Sequence, residues 1–213
     1  MSRKSHWDDV YRTRRIDEVS WFQLHAMLSR DLIVEALADR TVAILDVGGG
    51  ASPLAADLLE AGYRNLTVLD LAAPALAQAR QHLSANADPV RWIVGDVLDL
   101  PLRARSIGLW HDRAVFHFLT EERDRERYVQ EVRRTVRPGG LVLVATFAAD
   151  GPSRCSGLPV EGYSPDQLHA AFDGDFEFLA SRREEHRTPA GVLQPFTYCL
   201  CRYEPTQDSR AAA

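Results

Sequence analysis

Residues 42–63, VAILDVGGGASPLAADLLEAGY, pass from a short apolar run through three consecutive glycines into a segment with helical spacing, and few folds accept that order. The run Val42–Val47, ending on Gly48, suits a strand buried on both faces. Ser52 is placed to cap the helix that follows and Pro53 to be its first residue. Leu54, Leu58 and Leu59 then recur along one side until Gly62 stops it. A buried strand feeding directly into a helix is the first half of a parallel crossover, since parallel strands need a long and usually helical return.

The pattern repeats down the chain. Leu66–Leu71 reads as a second strand, and Pro74 opens a helix to about Leu83. DPVRWIVGD supplies a third strand, SIGLWHD a fourth, and LVLVATF a fifth after a turn at Arg137–Gly140, RPGG. Between the fourth and fifth strands, Tyr128, Val129, Val132 and Val136 form one stripe on a segment whose charges read as a solvated face. This alternation predicts an α/β fold with a mostly parallel sheet and helices on both faces. The ending differs: Ser164 caps PDQLHAAF, and DFEFLASR and FTYCLCRY are joined too closely for a crossover, which predicts an antiparallel pair at one edge. The expected organisation is one globular domain, with a helical N-terminal lid over 1–40, a core over 41–204 and a flexible tail over 205–213.

Composition narrows the partners. Lys plus Arg total 25 against 30 Asp plus Glu, a net charge of −5, so the cationic surplus of a nonspecific nucleic-acid binder is missing. No apolar run approaches the roughly 20 residues that span a bilayer, and the opening lacks the pattern of a secretory signal, so a cytoplasmic location without membrane contact is expected. Cys155, Cys199 and Cys201 show no CxxC spacing, which argues for reduced thiols and against a disulfide framework or a metal site.

The glycine bend is a ligand site by position, because ligands of open α/β sheets bind beyond the carboxyl ends of the strands. The dinucleotide fingerprint GxGxxG would need glycine at 48, 50 and 53, but Pro53 stands at the third position. A P-loop fails as well, since no GK[ST] follows. Asp46, two residues before Gly48, opposes a polyanion and suits a cation. A ligand with an amino group, a positive sulfur, a ribose and an adenine but no phosphate fits better, and S-adenosylmethionine is that ligand. Asp70 ends strand two, 22 positions after Gly48, where a carboxylate can accept from both ribose hydroxyls; Leu71 joins it in the cofactor set. Asp96 ends strand three, where it can accept from the adenine amino group while Val97 packs on the ring. A strand-end Asp alone is often a cap, but three at successive strand ends are a pattern.

In order and spacing, LDVGGG, VLDL, VGDV, LWHD and RPGG resemble the motifs of class I S-adenosylmethionine-dependent methyltransferases, over roughly Trp7–Tyr203. The resemblance implies a seven-stranded sheet in the order 3-2-1-4-5-7-6 with strand seven antiparallel. It also implies that Asp46, Gly48 and Gly50, with Gly49 between them, surround the methionine part, Asp70 the ribose, and Asp96 with Val97 the adenine. The opening WD-x-x-Y followed by a tryptophan is similar to that of elongation-factor lysine methyltransferases. The loop FAADGPSRCSGLPVEGYS is in part similar to the GPP-containing loop of thiopurine and tellurite-resistance methyltransferases.

Methyl transfer is an in-line displacement that relies on placement and dehydration, with a base needed only for a protonated acceptor. The stretch HDRAVFHFL after strand four supplies the candidates: Asp112 to orient the methionine ammonium or an acceptor proton, Arg113 to hold a carboxylate, and His117 as a base. Each has a plain alternative. Asp112 can cap the next turn, Arg113 can pair with an acid, and His117 between Phe116 and Phe118 can be a core residue. Trp7, Tyr11, Trp21 and Phe22 suit a lid over the cofactor, against the alternative of a helix packed on the sheet by Trp21, Leu24, Leu28 and Leu32. The long loop after strand five should read the substrate, with Cys155, His186 and Gln194 within reach. No [DN]PP[YFW] motif marks a nucleobase amino group as the acceptor. The expected function is methyl transfer from S-adenosylmethionine to a small molecule. The alternatives are a protein lysine acceptor, a non-catalytic module that binds the cofactor and, more weakly, a nicotinamide oxidoreductase.

Overall fold

The computed structural model describes residues 2–83, 89–172 and 174–206. Its strands are β1 (Ile44–Val47), β2 (Leu66–Asp70), β3 (Val90–Val94), β4 (Ile107–Arg113), β5 (Val136–Phe147), β6 (Phe176–Arg187), which runs on from FEFL into the charged RREEHR, and β7 (Leu193–Tyr203). They form one sheet in the order β3-β2-β1-β4-β5-β7-β6, with β7 antiparallel to both of its neighbours. A two-residue ribbon, Arg154–Cys155 with Leu158–Pro159, folds inside the loop after β5.

The helices are α1 (Arg3–Thr13), α2 (Met27–Ala36), α3 (Leu54–Glu60), α4 (Ala73–Leu83), α5 (Glu122–Thr135) and α6 (Pro165–Ala170). Because strand side chains alternate, β5 sends Val142 and Val144 to one face and Leu141, Leu143 and Ala145 to the other. The first face packs on Tyr128, Val129 and Val132 of α5 and Leu168 of α6, and the second on Leu32 of α2 and Leu54 and Leu58 of α3. The charges of α5 flank its Tyr128, Val129, Val132 and Thr135 stripe, the only buried side chains of that helix. A Schellman motif closes α3: Gly62 at φ +94° donates to Leu59 O and Tyr63 to Leu58 O. Ser164 and Gln167 form a reciprocal capping box on α6.

Two local expectations change. Pro53 is the N-cap of α3 rather than its first helical residue, and the Ser52 hydroxyl accepts from Leu54 N at 3.1 Å. The RPGG segment lies inside β5 rather than before it. Val136 pairs with Ile107 and Leu141 with Leu109, so the strand bulges between two paired stretches. The tail expected from residue 205 lies, from 207 onward, outside the described residues.

Candidate functional site

The order of the sheet builds the site. A pocket runs along the carboxyl edge from Asp96 beyond β3, past Asp70, Asp46 and Arg113, to Phe147. Since β7 is antiparallel, its beginning lies at that same edge, where Phe196 pairs with Phe147 and Gln194 stands one step further out.

At the glycine bend each residue is set by a different contact. Gly48 has φ +66°, and a Cβ there would meet Val115 Cγ2 at 2.2 Å; a Cβ on Gly49 would meet Asp46 Oδ2 at 2.1 Å. Gly48 and Gly49 line the pocket. Gly50, expected among the cofactor contacts, packs between Ala75 and Asp70, each 2.5 Å from where its Cβ would stand. The backbone N–H groups are largely committed: Gly48 N donates to Leu69 O, Gly50 N to Asp70 Oδ2, and Ser52 N to Gly49 O. A phosphate cradle needs such donors free, and the commitment of these three disfavours one.

It presents acceptors instead. Asp46 is buried, and its Oδ1 accepts from His111 Nδ1 at 2.7 Å, while Oδ2 has no partner among the described residues. Asp70 takes one N–H on each oxygen, from Ala72 at 2.8 Å and Gly50 at 3.1 Å. Burial, reinforced by Asp46, pushes its carboxyl up to about 6. Asp96 Oδ1 accepts from Leu98 N at 3.0 Å, and Leu71 and Val97 provide apolar wall beside the acids. An orphaned buried carboxylate oxygen beside two further carboxylates calls for a ligand rich in donors and positive charge. S-adenosylmethionine has those features and no phosphate.

Over this end lies the N-terminal segment. Trp7, Tyr11 and Trp21 line the pocket and pack edge to face, with Trp7 also 5.2 Å from the Phe118 ring. Tyr11 is anchored on α4, where Gln78 Nε2 donates to its carbonyl at 2.8 Å. Burial, with Asp70 nearby, raises the Tyr11 phenol well above its usual range. Phe22 does not join this wall; it lines a shallow depression with Leu24 and His186, and Leu24 is 80% exposed.

The β4 candidates separate by strand alternation. His111 faces the Asp46 side because the two are register partners in adjacent parallel strands. Its Nε2 is 2.9 Å from Ser29 Oγ of α2, which holds the ring between helix and carboxylate. Asp112, one residue on, must face the other way, and it is fully buried against α5. It accepts from Val115 N at 2.9 Å, Phe116 N at 3.1 Å and the Tyr128 hydroxyl at 2.6 Å, and burial pushes it up to about 6. The expected catalytic or ammonium-orienting Asp112 is therefore corrected to an internal cap, outside the pocket.

His117 is corrected in the same sense. It is fully buried between Phe118 and Phe147, receives a long 3.4 Å bond from Phe147 N on Nδ1, and does not line the pocket. Burial, helped by Arg113, lowers it to about 3, which leaves it without basic character at neutral pH. Arg113, expected on the cofactor, lies on the pocket face toward β7 and pairs with an acid: Nε and Nη2 donate to Glu184 Oε2 at 3.3 and 3.0 Å, and Nε to the Tyr198 hydroxyl at 3.0 Å. Cys155 and Gln194 line the pocket, whereas the His186 ring bonds Ser20 O at 2.7 Å outside it. His111 opens the candidate stretch HDRAVFHFL without a role of its own there, and Ser29, Glu184 and Tyr198 left no signal in the sequence.

Residues 44–140 match the family model described as a methyltransferase domain. The chain is 31% identical over 125 residues to the ubiquinone/menaquinone biosynthesis C-methyltransferase of Roseobacter denitrificans, covering 57% of this chain and 49% of that one. It is 32% identical over 113 residues to the malonyl-[acyl-carrier protein] O-methyltransferase of Pectobacterium atrosepticum, covering 53% and 42%. The chain thus spans about half the length of the curated relatives it matches. Among solved structures, the 1,6-didemethyltoxoflavin-N1-methyltransferase of Burkholderia thailandensis, with 1,6-didemethyltoxoflavin and S-adenosylhomocysteine bound, has a TM-score of 0.68 at 24% identity, over 95% of this chain and 87% of that one. A protein solved in work on the conversion of a disulfide bond into a thioacetal group during echinomycin biosynthesis reaches 0.78 at 20% identity, over 99% and 97%.

Proposed function

We propose, from the match of residues 44–140 to a methyltransferase domain and from the geometry of the pocket, that this chain is a class I S-adenosylmethionine-dependent enzyme moving the methyl group of that cofactor to a small-molecule acceptor. The observation that carries the reading is the set of three carboxylates, Asp46, Asp70 and Asp96, around a glycine bend in which Gly48 N, Gly50 N and Ser52 N are already taken. Asp46, steadied by His111, would hold the ammonium group through its unshared Oδ2. Asp70 would accept from the ribose hydroxyls and Asp96 from the adenine amino group, with Leu71 and Val97 against the ring.

The bound cofactor supplies a methyl carbon activated by positive sulfur. The chain's part is to place the acceptor and exclude water. Residues 1–40 would serve as the lid, with Trp7, Tyr11 and Trp21 closing over Asp70 and the glycine bend. A small acceptor suits the far end of the pocket, where the rings of Phe147 and Phe196 pack edge to face and present an apolar wall. It also agrees with the names of similar proteins, a quinone-biosynthesis C-methyltransferase and a didemethyltoxoflavin N1-methyltransferase.

The experiment is transfer of isotopic label from methyl-labelled cofactor into a small-molecule extract and, in parallel, into protein bands. Label in the small-molecule fraction is expected. Label only in protein would make the acceptor a protein side chain, and cofactor binding with no transfer to either would make the chain a non-catalytic module.

A further inference from the structure

The pocket continues past the cofactor end into a second region over β4, β5 and β7, and its chemistry differs. Phe147 and Phe196 form its walls, Cys155 and Gln194 border it, and Arg113 is its cationic group. The Arg113 side chain is 10% exposed, and its guanidinium carbon lies 4.0 Å above the centre of the Phe196 ring, so one flat face is covered. Its inner edge, Nε and Nη2, is held by Glu184 Oε2 and the Tyr198 hydroxyl. Nη1 has no partner among the described residues. An arginine clamped along one edge and one face keeps its outer fork, Nη1 with the second hydrogen of Nη2, for a planar anion.

The clamp is itself built. Glu184 Oε2 also accepts from Tyr198 at 3.1 Å, and Oε1 accepts from Gln23 Nε2 at 2.9 Å, so the acid that faces Arg113 is tied to the N-terminal segment. A purely structural ion pair needs no position on a pocket wall, and an aromatic wall beside one preorganised donor fork is a common form of small-ligand recognition.

Resting on the methyltransferase reading above, we propose that this region is an acceptor subsite for a small, flat, apolar molecule bearing a carboxylate, with Arg113 as the specificity-determining residue and Glu184 as the group that positions it. The carboxylate meets the outer fork of Arg113 while the apolar body lies against the wall that Phe147 and Phe196 form together. Glu184 orients the guanidinium and at the same time offsets part of its charge, so the two residues act on an anion with opposite sign.

That opposition gives the test. trans-Cinnamate, with cinnamamide as its uncharged match, is titrated calorimetrically into the protein with and without S-adenosylhomocysteine. Cinnamate is expected to bind and cinnamamide to bind at least about tenfold more weakly. Arg113→Gln should weaken cinnamate by about tenfold or more. Glu184→Gln, which keeps the fork and removes the opposing charge, should tighten it several-fold. Affinity for S-adenosylhomocysteine should stay within about threefold in both variants.

A merely structural pair would lose cinnamate binding in both variants, and equal binding of acid and amide would remove the anion site; either overturns the proposal. So would a parallel loss of S-adenosylhomocysteine affinity in Arg113→Gln, since the fork would then serve the cofactor. Cinnamate binding with no S-adenosylhomocysteine binding in the unaltered protein would instead overturn the cofactor reading and leave the acid subsite standing.

Discussion

On β4, His111 and Arg113 face the pocket, while Trp110 and Asp112, their sequence neighbours, face α5 on the closed side of the sheet. Both sides are buried and polar, yet they differ in what is left unsatisfied. On the closed side the Trp110 indole donates to the Tyr128 hydroxyl at 2.8 Å, Tyr128 donates to Asp112, and two backbone N–H groups complete the carboxylate. On the open side Asp46 keeps an oxygen and Arg113 an amino group without a partner among the described residues. Saturated networks hold a fold together, and incomplete ones at a pocket mark where a ligand belongs.

The comparison breaks most visibly at Asp112. Asp112→Ala strands three buried donors and should lower unfolding free energy by roughly 3–5 kcal/mol, read from denaturant titration, with S-adenosylhomocysteine affinity of the folded protein unchanged. Lost affinity at an unchanged midpoint would move Asp112 to the open side. Asp70→Ala should do the reverse, weakening S-adenosylhomocysteine by roughly 1–3 kcal/mol, about 5- to 150-fold. Because the Asp70 carboxyl is raised to about 6, affinity in the unaltered protein should fall as pH drops through that value and an acceptor is protonated. Asp70→Asn should flatten the profile, and a profile unaffected by it would assign the titration elsewhere.

His117 sharpens the contrast through stability. Its value of about 3 in the fold lies below the ordinary histidine value, so as pH falls the unfolded chain takes up a proton first. Stability is complete above about pH 6.5 and declines by about 1.4 kcal/mol per pH unit toward about 3. Asp70 and Asp112, both raised to about 6, act with the opposite sign: the fold gains as pH falls from there toward the ordinary carboxyl range. Subtracting His117→Phe from the unaltered protein isolates the histidine, and a zero difference would mean that it is charged or exposed. Turnover between pH 6 and 9 should be unchanged in the variant; its collapse would restore the base. A smaller loss than for Asp112→Ala is expected from Tyr128→Phe, about 1–3 kcal/mol in denaturant because it strands the Trp110 indole N–H, with cofactor affinity intact.

The sheet was legible because its signals are local and repeated: short apolar runs, Gly62 and Ser164 at helix ends, and alternation in FTYCLCRY. The acids at the ends of β1 to β3 were legible for the same reason, since leaving a strand commits a residue to the carboxyl edge. HDRAVFHFL was harder because function there depends on the face each residue takes. Asp112 has the composition of a site residue and the direction of a core residue. Gly50 shows that adjacent glycines can serve different neighbours, here Ala75 and Asp70. Glu184 lies 71 positions from Arg113, and only the antiparallel placement of β6 and β7 brings them together.

The central claim is that the glycine bend with Asp46, Asp70 and Asp96 holds a sulfonium nucleoside rather than a phosphorylated one. Its most direct test is calorimetric titration of the unaltered protein with S-adenosylhomocysteine and, separately, NADH near pH 7.5. The account predicts a saturable site for S-adenosylhomocysteine and no heat of binding for NADH; saturable NADH with silent S-adenosylhomocysteine would contradict it.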